Sequence, residues 1–340
     1  MPDDPDRGDR MPAWTPDLLG RGYERTEIPL GTDPDGEGPI EAVLVRRTRP
    51  KRAKVTGAVL YVHGFSDYFF QTHVADFFAE RGYAFYALDL RKCGRSRRPG
   101  QTPHYVSDLA MYDVELDRAL LTVRDEVPGA PIVLASHSTG GLVLPLWLDR
   151  LNRRPGGTPA LDIHGLILNS PWFDLQGGPF LRSVGTQLIR AFSKVRPKDV
   201  VKLPPTDAYG TSLHAGHAGE WTFDLDFKPV TGFPVTYGWM TAIRHGHAQL
   251  HRGLDVGVPS LVLRSDKTHF ARSHREEVDT ADAVLDVQQI GRWAGCLGNA
   301  VTSLPIPDAR HDVFLSLPEP RAAAFAAVDA WLAGTLTSTA

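Results

Sequence analysis

Ser138 lies in Ser136-His137-Ser138-Thr139-Gly140, between a short apolar run, Ile132 to Ala135, and an apolar segment of helical character. A strand, a very tight turn and a helix in that order lift the turn residue out of a sheet. The turn needs small residues two before and two after its tip. Ser136 and Gly140 are small, although Ser136 stands where glycine is usual. A serine hydroxyl so exposed can attack a carbonyl carbon if a base takes its proton, and histidine is the base that works near neutral pH. His311 is placed for that role, in the polar loop Pro307-Asp308-Ala309-Arg310-His311-Asp312 between the last expected strand and the last expected helix.

A third group must orient the histidine. Asp266 closely follows a strand ending near Arg264, so position alone favours it. Asp282 lies farther on, just before the helix that leads to the last strand. If Glu276, Glu277 and their neighbours form an excursion from the strand end, Asp282 returns to the sheet's edge, and it is the preferred acid. Asp286, one turn on, reads better as a residue of that helix's first turn. Attack on a carbonyl also requires two donors for the oxyanion. The backbone N–H groups of Thr139, which follows the serine, and of Phe65, which follows His63-Gly64, are the candidates. His63 itself reads as a packing or hydrogen-bonding residue.

The elements around these residues alternate. Glu41–Arg47 reads as a first, edge-type strand, followed by a strand at Ala58–His63, a helix near Thr72–Arg81 and a strand at Tyr83–Leu90. Leu109, Tyr112, Leu116, Leu120, Val123 and Val127 then trace one face of a long helix, and Ile163–Asn169 is a further buried strand. Such alternation implies an α/β fold, a mainly parallel sheet with helices on both faces. The rhythm breaks over residues 171–257, rich in Gly, Pro, His and aromatics, with helical patches near Leu181–Val195 and Thr236–Leu250. That stretch reads as an inserted cap. Residues 26–170 and 258–340 form the core, and residues 1–25, rich in Pro, Asp and Arg, read as a loosely held arm.

Of the 340 residues, 42% are hydrophobic and 23% charged, with a formal net charge of −3, which gives no electrostatic push toward nucleic acid or anionic membranes. Two basic clusters, Arg46–Lys54 and Arg91–Arg98, read as solvated loop charge. No stretch approaches the roughly 18 uninterrupted apolar residues of a membrane span, so no integral membrane association is expected and a cytoplasmic setting is. Two cysteines, Cys93 and Cys296, have no metal-ligand spacing. His214/His217 and His247/His251 lack the Glu that completes a zinc-protease signature, and no metal is expected.

Taken together, Tyr61-Val62-His63-Gly64-Phe65, Asp89-Leu90-Arg91-Lys92-Cys93-Gly94-Arg95-Ser96, Ser136 to Gly141 and Ala309-Arg310-His311-Asp312 resemble the α/β-hydrolase superfamily. The similarity is to the serine aminopeptidase-like branch that includes monoacylglycerol lipases and lysophospholipases. It covers about residues 40 to 335 and implies the α/β-hydrolase fold, a Ser, Asp, His triad, a helical cap and no cofactor. In that branch the acid precedes the helix before the last strand, as Asp282 does, although its Gly-rich lead is missing here. Lys92-Cys93 also interrupts the usual Arg-Gly-His-Gly run. The expected activity is that of a serine hydrolase cleaving a small-molecule carboxylic ester, with a hydrophobic acyl or alkyl group, through an acyl-enzyme. A peptidase or amidase of the same fold, and a non-catalytic ligand-binding protein, stay open alternatives, as does the oligomeric state.

Overall fold

A computed structural model describes residues 13–50, 54–176 and 192–336. Its strands are β1 (Thr15–Pro16), β2 (Tyr23–Thr32), β3 (Pro39–Arg47), β4 (Gly57–Val62), β5 (Tyr83–Asp89), β6 (Ile132–His137), β7 (Ile163–Asn169), β8 (Ser260–Ser265) and β9 (Val301–Ile306). They form one nine-stranded sheet in the order β1-β2-β3-β5-β4-β6-β7-β8-β9. From β5 to β9 every pairing is parallel, and β1, β2 and β3 join antiparallel. Every residue of β4 and β6 is buried, because helices cover both faces. That is why these strands read as unbroken apolar runs rather than as alternation.

Seven helices of the described residues matter here: α1 (Thr72–Glu80), α2 (Asp113–Glu126), α3 (Gly140–Asn152), α4 (Ala208–Leu213), α5 (Tyr237–Leu250), α6 (Val287–Trp293) and α7 (Pro318–Leu336). Leu116, Leu120 and Val123 of α2, Leu142 and Trp147 of α3 and Ile243 of α5 pack in the core on one face of the sheet. Val74, Phe77 and Phe78 of α1 meet Ala324, Val328 and Leu332 of α7 on the other. Between β7 and β8 the described residues include α4 and α5. The helical patch expected near Leu181–Val195 lies outside the described residues up to position 191.

Three expectations need correction. Glu41–Arg47 is not an edge strand, since β3 pairs with β2 on one side and β5 on the other. The charged, Pro-containing sequence of β2 hides it, because only Tyr23, Thr26 and Ile28 of its ten residues are buried. Residues 13–25 are not a loose arm: β1 pairs with β2, and Asp17, 5% exposed, accepts from Arg95 Nε and Nη2 at 2.7 and 2.9 Å. Nor is Arg91–Arg98 solvated throughout. Arg91 pairs with Glu115, Lys92 meets Asp33 and the half-buried Glu37, and Arg95 sits between Asp17 and Asp89, the others all buried. Buried charges need such partners, and these partners come from distant parts of the chain.

Candidate active site

The turn at Ser138 is built from the meeting of β6 and α3. Its backbone φ is +52°, a left-handed conformation that L-residues rarely adopt. Two neighbours pin it there: Ser138 N–H donates to Asn169 O at 2.9 Å, and Ser138 O accepts from Trp172 N–H at 3.0 Å. Close backbone approach explains the glycines. A Cβ on Gly140 would lie 2.5 Å from His63 O, and one on Gly64 would lie 2.9 Å from Ser138 Cβ. Ser136 Oγ, beneath the turn, is buried and has no hydrogen-bond partner among the described residues.

His311 arrives from the loop after β9. Its Nε2 lies 3.0 Å from Ser138 Oγ and its Nδ1 lies 2.9 Å from Asp282 Oδ2. Asp282 is fully buried and His311 is 2% exposed. The other oxygen of Asp282 accepts from the N–H groups of Val284 and Leu285 at 2.8 and 2.7 Å, which fixes the carboxylate's rotation. The expected excursion is present. A short bridge pairs Thr268 with Asp282, so the chain leaves β8, loops out and returns to the sheet's edge at the carboxylate. Asp266, by contrast, is exposed and accepts from Asp308 N–H at 3.0 Å. Asp286 caps α6, accepting from Gln288 N–H at 3.0 Å. Among the described residues, the backbone N–H groups of Phe65 and Thr139 find no acceptor. His63 is committed elsewhere: its Nδ1 donates to Gly64 O at 2.7 Å and its Nε2 accepts from Leu90 N–H at 3.1 Å.

A family profile described as serine aminopeptidase, S33 matches residues 53–282. The chain belongs to that family. Solved structures of similar fold include a soluble variant of the monoglyceride lipase from Saccharomyces cerevisiae in complex with a substrate analogue, at 18% identity, covering 96% of this chain and 97% of that one with a TM-score of 0.64. A thermostable carboxyl esterase from Bacillus coagulans in complex with glycerol aligns at 15% identity over 92% of this chain and 98% of its own, with a TM-score of 0.63. A monoacylglycerol lipase from Paleococcus ferrophilus aligns at 16% identity over 92% and 99%, with a TM-score of 0.56. At these identities the likeness is one of α/β-hydrolase fold. No curated protein sequence matches the chain.

Two features of this S33-family site were not legible in its sequence. Next to Ser138, His137 Nδ1 lies 3.1 Å from Asp67 Oδ2, and Lys228 Nζ, from the segment between β7 and β8, lies 2.9 Å from Asp67 Oδ1. The His137 ring centroid is 4.8 Å from that of His311. Burial raises the Asp67 pKa, but the Lys228 charge and the His137 hydrogen bond outweigh it and hold the carboxyl far below its usual range. Arg310, adjacent to His311, donates to Asp279 at 2.7 Å, three residues before Asp282. That pair braces the same two loops in parallel with the Asp282–His311 contact. The partners lie 31, 70 and 161 positions apart, with no spacing rule to connect them.

Tyr209 of α4 also faces His311, ring centroids 5.3 Å apart, and its hydroxyl accepts from Asp312 N–H at 3.2 Å. His247 and His251 point their Nε2 atoms at the carbonyls of Trp172 and Phe173, at 2.9 and 2.8 Å. Among the described residues no cluster of three or more His, Cys, Asp or Glu could hold a metal ion, and no helix is long and apolar enough to cross a membrane.

Proposed function

We propose that this hydrolase cleaves carboxylic esters through a serine-bound acyl intermediate. The observation that carries the reading is the unbroken line from Asp282 through His311 to Ser138, with contacts of 2.9 and 3.0 Å. Ser138 Oγ attacks the ester carbonyl while His311 Nε2 takes its proton. The oxyanion is held by the amides of Phe65 and Thr139, and His311 passes the proton to the departing alcohol. Water, deprotonated by His311, then attacks the acyl carbon and releases the acid and Ser138. Asp282 keeps the Nδ1–H tautomer and stabilises the imidazolium formed in each half-reaction.

Residues 171–257 act as a cap in this reading. Trp239 packs beside Phe65, ring centroids 4.1 Å apart, and Trp172 packs on Trp239 at 5.8 Å, so the surroundings of the serine suit a hydrophobic acyl or alkyl group. The lipase and esterase names of the structurally similar proteins agree with an ester rather than a peptide. A fluorophosphonate probe tests the proposal: Ser138 displaces fluoride and becomes phosphonylated. Labelling of the native protein, absent in Ser138→Ala, is expected. Native protein that stays unlabelled, or a variant labelled equally, would falsify it.

A further inference from the structure

A small cavity lies beside the proposed oxyanion donors. Its volume is about 10 Å³, room for the centre of one water-sized group, and its walls include Phe65, Cys93, His104, Thr139, Val143 and Trp239. Two side-chain polar atoms of these lining residues, His104 Nε2 and Thr139 Oγ1, are buried with no hydrogen-bond partner among the described residues. Their residues are only 3% and 7% exposed. Buried polar groups are nearly always paired, so two such atoms on residues that line one small cavity call for a partner there.

The position of His104 is itself costly. Its backbone φ is +60°, a left-handed conformation, and it is held there by its N–H donating to Lys92 O at 3.0 Å. The tautomer follows from the neighbours. With the thiol proton of Cys93 assigned to Arg91 O at 3.2 Å, the sulfur, 3.1 Å from His104 Nδ1, accepts from Nδ1–H. Nε2 then carries a lone pair and needs a donor. Burial pushes the His104 pKa well below its ordinary value, so the ring stays neutral and keeps that lone pair. Thr139 Oγ1 can donate to whatever occupies the cavity. One uncharged group that donates to Nε2 and accepts from the Thr139 hydroxyl meets both needs, as the hydroxyl of an alcohol or a water does.

In the mechanism proposed above, on which this inference rests, the leaving alcohol must lie against His311. Neither Ser138 nor His311 is part of the cavity wall, whereas Phe65 and Thr139, the proposed oxyanion donors, are. The cavity therefore adjoins the carbonyl-oxygen side of the site. We propose that it receives a hydroxyl borne on the acyl chain close to the ester carbonyl, which donates to His104 Nε2 and accepts from the Thr139 hydroxyl. The preferred substrates are then esters of short hydroxy acids.

The test compares methyl esters of butanoic, 2-hydroxybutanoic and 3-hydroxybutanoic acid, each kcat/KM divided by that ester's hydroxide-catalysed rate. The native protein is expected to favour one of the hydroxy esters by about tenfold or more, because the ester lacking the hydroxyl leaves both orphans unmet. In His104→Phe the ratio falls toward one. Equal rates within about twofold for all three esters in the native protein, the result given by a cavity that holds water alone, overturn the inference. That comparison needs no variant, so a misfolded His104→Phe does not rescue it. Equal rates from a protein whose Ser138 reacts with fluorophosphonate refute the hydroxyl site alone. Absence of both labelling and turnover refutes the serine mechanism and this inference with it.

Discussion

Replacing Asp282 by Asn tests the site's logic most directly, because the structure says what each atom of the new amide would meet. Two backbone donors, Val284 N–H and Leu285 N–H, point at Oδ1. The amide oxygen must take that place, since the NH₂ group would face two donors. The NH₂ is then driven toward His311 Nδ1, 2.9 Å from the atom it replaces. Nδ1 has to accept, and the ring proton moves to Nε2, the nitrogen that faces Ser138 Oγ. A protonated Nε2 cannot take the serine proton, and the imidazolium has also lost its counter-charge. The same exchange in a Ser-His-Asp protease lowers kcat by about 10⁴, close to 5.5 kcal/mol of barrier. A loss of that order is expected in kcat for ester hydrolysis, with the thermal midpoint little changed. Asp266→Asn, at an exposed carboxylate, should cost less than about twofold. Asp282→Asn activity within about tenfold of native, or a larger loss in Asp266→Asn, would refute the reasoning.

Three other outcomes are expected. Ser136→Gly should keep ester turnover within about threefold, because the hydroxyl it removes has no partner among the described residues, and should cost about 0.5–1 kcal/mol of stability from backbone entropy; a large loss of turnover would mean that the hydroxyl is engaged during the reaction. Lys228→Met strands the buried Asp67 charge and should destabilise by about 3–5 kcal/mol in chemical denaturation, whereas adding Asp67→Asn should restore part of that loss; additive effects would show that the pair is not coupled. Burial raises the Glu37 pKa, but hydrogen bonds from Thr102, Lys198 and Lys92 lower it to about 2 from 4.5. Its contribution to stability is therefore full above about pH 4.5 and lost as pH falls through about 2. The stability gap between native protein and Glu37→Gln should narrow over that range, and a gap constant with pH would refute the assignment.

What could be read from the sequence was what local pattern encodes. The strand, turn and helix around Ser138 are contiguous, and the buried strands announce themselves because both faces of the sheet are covered. His311 was legible from its place after the last strand. Asp282 required the assumption that Glu276, Glu277 and their neighbours loop out from the strand end, and the bridge between Thr268 and Asp282 closes such a loop. The antiparallel start of the sheet was hidden because β2 keeps one face wet and carries Glu24, Arg25 and Glu27 in its strand. The charges of Arg91–Arg98 misled for a related reason. Asp17 pairs with Arg95 across 78 positions, and Lys228 with Asp67 across 161, and composition cannot distinguish a loop arginine in water from one enclosed between two carboxylates.

The bridge at Thr268 and Asp282 also separates position from length. The strand leads in at one side, the carboxylate leaves at the other, and the intervening chain, exposed at Phe270, Arg272, Ser273, Arg275, Glu276 and Glu277, is closed off at its base. Doubling such a loop costs only about 0.6 kcal/mol in closure entropy. This makes the excursion a natural graft point: peptides can be spliced into it, or it can be shortened, while the Asp279–Arg310 pair and the bridge hold the acid in register. The excursion's tip is tied as well, since Ala271 O and Arg272 O accept from the Thr206 hydroxyl and Asp207 N–H at 3.0 Å each, so a change of length is best borne by the mostly exposed residues 273–277, away from both the carboxylate and that tie.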